Sequence, residues 1–351
     1  MNYTSQSNNM IKINGLALLM LGLIIACNRE DPEPVGEFDN GILVLNEGAF
    51  LAGNASVSFI DAEGEVSTSA FSDANEGLAL GDVAQSMIET DHHFIIIVNN
   101  SNHLFALNKS DLSIDYAIET LLLPRHVATN KDTGFVTEWV SFTEEGRVTA
   151  FDLSSGEILA QQVAGFGAEF PLLDDGKLYV TNSFESTLTI LDQETLSILA
   201  EIQTGPSPTQ LVKTDNGNLL VVCTADFDEN FAPANNGVIQ QISNDEIAIT
   251  VNLNINVGAR IAIERNSIFY FAGSSVYEFV TEEDQINQVL SDDKVTGYYT
   301  ISIDETGSIY MSDNKGFQGV GEIIKYTAGG LRDKVYSVGI GPNTILIGEV
   351  R

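Results

Sequence analysis

One phrase recurs seven times between Gly41 and Arg351: a short apolar strand, a polar loop, an apolar stretch often ending near Asp, and a further strand. The leading strands start near Ile42, Phe94, Phe135, Leu178, Leu219, Ile268 and Ile309, at spacings of 52, 41, 43, 41, 49 and 41 residues. A period of that size with four strands per unit predicts a β-propeller. The expected class is all-β, with seven blades. Loops, rather than repeats, then decide what such a chain does.

The unit beginning at Lys177 is the cleanest. Leu178-Tyr179-Val180-Thr181-Asn182 reads as one strand, Thr187 to Asp192 as the next and Ser197 to Ile202 as a third. A Gly205-Pro206-Ser207-Pro208 turn leads on to Thr209-Gln210-Leu211-Val212. Alternation and β-branched content favour strands, and turn residues at short intervals favour an antiparallel meander. The sixth unit, from Asn266 to Asp304, is degenerate, keeping its glycines and strand rhythm but not the proline. The first unit lacks a preceding strand, and Thr344 to Ile347 forms a strand with no unit after it. The expected solution is that this C-terminal strand becomes the innermost strand of the first blade. Such closure removes the open sheet edges that invite aggregation.

Residues 10–27 read MIKINGLALLMLGLIIAC: one basic residue, an apolar run, then Ala26 directly before Cys27. That is the layout of a secretory signal rather than a spanning helix. Ile24-Ile25-Ala26-Cys27 resembles the bacterial lipobox, which implies a signal peptide over 1–26 and acylation of Cys27. Buried acyl methylenes contribute about 0.8 kcal/mol each, so several chains on one cysteine hold a domain at a membrane. Residues 28–39 open with Asn28-Arg29-Glu30-Asp31-Pro32-Glu33-Pro34, which reads as an acidic tether. This run resembles the acidic signal that follows the lipidated cysteine in surface lipoproteins of the Bacteroidetes. The expected address is the outer membrane, facing outward, with the periplasmic face as the alternative.

The chain carries a formal charge of −33, which repels nucleic acid and anionic headgroups; no basic stripe offsets it. Besides Cys27 only Cys223 occurs, inside the apolar run Leu219 to Cys223, so it reads as core filler without a disulfide partner. Residues 40–351 are long enough to stabilise one domain by core burial.

Leu178 to Asn182 lies close to the Tyr-Val-Thr-Asn phrase of the YVTN-repeat propellers. The opening Gly41 to Phe50, the stretch Asn54 to Asp61, Leu80 to Met87 and Val98 to Ser101 extend the likeness. Together they resemble the YncE-like surface propellers of Bacteroidetes lipoproteins. Within that family the BtuG-like group captures cobalamin and passes it to a TonB-dependent transporter. Asn46-Glu47-Gly48 and the lipidated front of this chain are similar to that group. The resemblance implies ligand capture, with cobalamin as the named candidate. The alternative is a protein-binding accessory subunit of an outer-membrane uptake complex.

In a blade, the loop between second and third strands and the loop into the next blade open on one face. Here those loops carry Phe50, Trp139, Phe142, Phe184, Phe227, Phe231, Tyr298, Tyr299 and Phe317, with Arg125 among them. Flat rings offer contact area at low entropic cost, and Asn46, Asn99, Asn182 and Asp313 at strand ends are expected to supply hydrogen bonds. These residues form the candidate ligand face.

Catalysis is not expected. The four histidines, His92, His93, His103 and His126, form no metal-binding spacing, and His92-His93 reads as a solvated turn pair. No Gly-x-Ser-x-Gly elbow occurs. Asp226 to Asn230 is acidic but lacks the glycine and terminal glutamate of a calcium loop. No cofactor is expected. Lactonase and quinoprotein propellers share this scaffold, so hydrolysis at an axial site is the enzymatic alternative.

Overall fold

The second strand of each unit is the most apolar, and it is also the most buried. Ile42–Asn46, His93–Val98, Leu219–Cys223 and Ile309–Asp313 are buried at every position. A strand covered on both faces needs a continuous run of branched apolar side chains, and these runs supply it. Outermost strands such as Ile158–Val163 and Ile198–Gln203 are largely exposed and carry Gln and Glu. That gradient is what stacking sheets around an axis produces.

The computed structural model describes Phe38 and residues 40–226, 234–253, 255–258, 260–283 and 285–348. The expected signal over 1–26, Cys27, the 28–39 tether apart from Phe38, and the candidates Phe227 and Phe231 lie outside the described residues. Phe38 packs edge-on against Phe59, with ring centroids 4.9 Å apart.

Seven four-stranded antiparallel sheets form a closed seven-bladed propeller. The innermost strands of blades 2 to 7 are Ala84–Glu89, Pro124–Thr129, Ala168–Asp174, Pro208–Lys213, Ala262–Glu264 and Tyr298–Ile303. Blade 1 takes its innermost strand, Pro342–Ile347, from the far end of the chain, as expected. It pairs antiparallel with Ile42–Asn46, placing Ile345 opposite Val44. The two outlying repeat spacings also have causes. The first interval holds an inserted helix, Ala70–Ala74, whose Phe71 is buried against Phe105 with centroids 5.5 Å apart. The fifth holds the long connection from Cys223 to Val238.

The weakness of the sixth unit sits just upstream of where the sequence shows it. Its three outer strands have full length, whereas the inner strand, Ala262–Glu264, has three residues. Cys223 is buried and free, and burial pushes its thiol up to about 12, as suits a core residue. His93, expected in a solvated turn, instead opens a strand, is buried, and meets Asp115 at 2.9 Å. Alternation with Phe94 puts it on the opposite face of a strand covered on both sides, which the paired histidines concealed.

Candidate functional site

In six blades the inner strand bulges at its first residues, leaving Gln85, Arg125-His126, Glu169-Phe170, Thr209, Tyr299-Thr300 and Asn343 outside the regular pairing. A bulge bends its strand and re-aims a side chain. The residue just before the strand is left-handed in five blades: Val83 (φ 58°), Leu123 (φ 47°), Gly167 (φ 71°), Ser207 (φ 46°) and Gly341 (φ 65°). Glycine meets that demand freely in two of them, while Val83 and Leu123 accept strain. Turn and bulge together re-aim Gln85, Arg125, Glu169, Tyr299 and Asn343, which bond from blade to blade.

There the side chains close into a plate. Arg125 of blade 3 holds Glu169 of blade 4 through two parallel bonds of 2.9 Å, Nε to Oε2 and Nη2 to Oε1, and donates to Gln85 Oε1 of blade 2 at 2.8 Å. Tyr299 of blade 7 donates to Glu47 Oε2 of blade 1 at 2.7 Å. Asn343 donates to the same oxygen at 3.2 Å and to the Ala84 carbonyl at 2.7 Å. From blade 6, Arg260 lies over the Tyr299 ring at 4.7 Å and reaches Gln85 O of blade 2 at 3.5 Å. Contacts that join blades 1, 2, 3, 4, 6 and 7 can meet only at the axis, so the mouth of the channel is filled.

The electrostatics of the plate follow from burial and the two guanidinium groups. Burial works to raise the Glu169 carboxyl, but Arg125 above all overrides it and holds Glu169 below the usual carboxylate range. His126 is pushed down to about 4, first by burial and then by Arg125 and Arg260, against the pull of Glu169. The neutral imidazole lies with Nδ1 3.2 Å from the Glu169 carbonyl oxygen. Burial also raises the Tyr299 hydroxyl, with Glu47 adding to it, so the phenol stays a donor.

Beside the plate stands a cluster of rings. The Arg125 guanidinium lies 3.7 Å from the Trp139 ring centroid. Trp139 is 4.7 Å from Phe184 and 5.7 Å from Phe142, and Phe142 stacks on Phe184 at 6.3 Å. Phe142 is 72% exposed and Phe184 47%, an unusual cost for rings with neighbours to hide against. The Phe184 ring lies against Gly167, where a Cβ would come within 2.7 Å of it. Trp139 Nε1 is buried and makes no hydrogen bond of good geometry, although it bears on the Glu169 carboxylate. Across the mouth, Phe317 meets Tyr299 edge-on at 5.4 Å.

The candidates from sequence therefore divide. Arg125, Trp139, Phe142, Phe184, Tyr299 and Phe317 come together at the mouth. Phe50 is 70% exposed at the tip of the blade 1 loop and meets no ring among the described residues. The amides expected to face a ligand are turned into the blades instead. Asn46 bonds Ser56 Oγ at 3.1 Å and Ser58 Oγ at 2.9 Å, and Asn182 bonds Thr187 and Thr189, both at 2.8 Å. Asn99 ties blade 2 to the Pro124 carbonyl at 3.0 Å, and Asp313 pairs with Lys315 at 2.8 Å. Tyr298 is buried, its hydroxyl 2.8 Å from that of Tyr326. A buried strand-end polar group must find a partner, and the adjacent strand provides the nearest one.

Sequence reasoning did not single out Gln85, Glu169, Arg260 or Asn343, which build the plate. A signal was present: each stands at or just after the turn into an inner strand, and each is polar. Glu138 is a further buried charge, held by Arg147 through two bonds of 2.8 Å and by Thr149. Among the described residues no group of three His, Cys, Asp or Glu side chains is placed to hold a metal ion.

A family model described as "Domain of unknown function (DUF5074)" matches residues 40–320. No functionally curated protein matches the sequence. Among solved structures, the chain is similar to a quinoprotein alcohol dehydrogenase-like protein from Bacteroides thetaiotaomicron, with a TM-score of 0.69 at 15% identity over 89% of this chain and 79% of that one. A functionally unknown protein from Desulfotomaculum acetoxidans gives 0.67 at 13% identity, over 88% and 98%. Hydrazine synthase from Kuenenia stuttgartiensis gives 0.58 at 11%, over 75% and 92%. Identities this low speak for the fold alone.

Proposed function

Because the chain belongs to the DUF5074 family, which is defined without a function, we propose its role from the mouth itself: it is an envelope binding protein that captures a small molecule on the ring cluster. The single observation that carries this reading is the pair of exposed rings, Phe142 and Phe184, gathered on the half-buried Trp139, which is braced on Arg125. Exposed rings on loops held by a rigid scaffold lose little freedom on binding, so most of their contact energy reaches the ligand. The lipobox-like Cys27 fits anchorage at the outer membrane. Phe50 and Leu51, exposed on the blade 1 loop, suit contact with a partner such as a TonB-dependent transporter that takes the cargo onward.

Capture is favoured over axial hydrolysis because the side chains that would have to face a substrate at the axis are bonded to one another. Cobalamin, which the resemblance to the BtuG-like group suggests, is the first ligand to try. Calorimetric titration of the full chain with cobalamins should give saturable heat that Trp139→Ala abolishes. Absence of heat at micromolar protein would remove cobalamin. Heat unchanged by Trp139→Ala would remove the ring cluster as the site.

A further inference from the structure

The two arginines at the mouth stand in opposite situations. Arg125 lies on Trp139 and has both oxygens of Glu169 as partners. Arg260 lies on Tyr299, yet meets no carboxylate among the described residues. The other described arginines, Arg125, Arg147, Arg265 and Arg332, each have a carboxylate within 4.0 Å. An unpaired guanidinium is conspicuous in a chain with 49 acidic residues. The neighbouring acids bond other groups, Glu169 to Arg125 and Glu47 Oε2 to the Tyr299 hydroxyl and Asn343, and favour the Arg260 charge without forming an ion pair within 4.0 Å of it. Arg260 keeps partial exposure at the mouth, and its donors meet the Gln85 carbonyl at 3.5 Å and the Tyr299 hydroxyl, neither of them a carboxylate.

A guanidinium offers five donors in a flat fork that matches a carboxylate, sulfonate or phosphodiester, and partial desolvation strengthens that pairing. We infer that Arg260 anchors the anionic group of the ligand, while the Trp139, Phe142 and Phe184 rings take a flat apolar portion of the same molecule. The two subsites are linked through Gln85, whose side chain accepts from Arg125 and whose carbonyl faces Arg260. The class of ligand is thus an organic monoanion carrying a planar ring system. This inference rests on the reading of the mouth as the binding site and adds the charge of what binds there.

Trp139 is the sole tryptophan of the chain, so its emission reports the site directly. The test titrates the full chain with pyrene-1-carboxylate and, separately, with the neutral pyrene-1-methanol, following energy transfer from Trp139 to pyrene. The expected result is at least tenfold tighter binding of the carboxylate. Arg260→Gln should bring the two affinities within about twofold, and Arg260→Lys should retain part of the preference (charge without the fork). Circular dichroism establishes that each variant is folded, and Arg260→Lys carries the comparison if Arg260→Gln is not. Equal affinities in the wild type, or a preference untouched by Arg260→Gln, would overturn the anion anchor while leaving the ring platform standing. If neither pyrene binds the wild type, the platform and the anchor both fail.

Discussion

The mouth of the ring has two sides built from the same ingredients and brought to different ends. On one side an arginine lies on an indole and is closed off by Glu169. On the other an arginine lies on a phenol whose hydroxyl donates to Glu47, and it forms no ion pair among the described residues. Residue type does not separate them, since the nearest acid on each side is a glutamate; what separates them is the partner each glutamate bonds, Arg125 for Glu169 and the Tyr299 hydroxyl for Glu47. The closed side carries a buried ion pair beneath the ring cluster and the open side a guanidinium outside any ion pair, and each consequence can be measured.

The largest effect should come from opening the closed side. Glu169→Gln leaves the Arg125 charge buried without its partner, and breaking a buried pair from one side costs about 3–5 kcal/mol. Urea unfolding should show a loss of that size, whereas Arg260→Gln, which breaks no ion pair, should lie within about 1 kcal/mol of wild type. Equal losses in the two variants would erase the distinction between the sides.

Acid should act next, through His126. Its imidazole is held to about 4 in the fold, against about 6.5 for an unperturbed histidine. Between those values the unfolded chain binds a proton that the folded chain refuses, so stability falls as pH drops from about 6.5 to 4, by roughly 3 kcal/mol in all. Glu169, held low, adds its own loss only below about pH 4.5, where the unfolded carboxyl protonates. Unfolding free energies at pH 7 and 4.5 should differ accordingly, and His126→Gln should flatten most of that slope.

Smaller effects concern the rings that stand on the closed side. Phe142→Ala removes a ring that is mostly in water, so stability should change by less than about 1 kcal/mol. Ligand affinity should nevertheless fall by about tenfold through lost stacking, as read by Trp139 emission. Smallest of all, Val140 follows Trp139 with φ 63°, a conformation poorly suited to a β-branched residue. Val140→Gly should raise the melting temperature slightly, corresponding to no more than about 1 kcal/mol. A drop would mean that the valine side chain contributes more than its backbone strain costs.

The architecture was legible in the chain because four strands per period leave few alternatives, and the terminal strands named their own partner. The gathering of loop rings was legible in part: Trp139, Phe142 and Phe184 lie together and Phe317 meets Tyr299, whereas Phe50 stands apart and Tyr298 is buried. What misled was polarity at strand ends. Asn46 and Asn182 look ready for a ligand, but Ser56 and Ser58 follow one, and Thr187 and Thr189 the other, two positions apart on the next strand. A strand-end amide followed by such an alternating hydroxyl pair is satisfied internally, and that pattern is readable from sequence. Glu169 and Gln85 were hidden for another reason. A bulge shifts the alternation by one, so the rule that separates inward from outward positions fails where the chain turns to the axis.

Asn343 belongs to the strand that completes blade 1 and also bonds Glu47 and the backbone of blade 2. The closing strand therefore contributes a rivet to the very floor on which cargo would rest. Occupancy and ring closure become thermodynamically linked: whatever settles on that floor also resists fraying of the strand that closes blade 1.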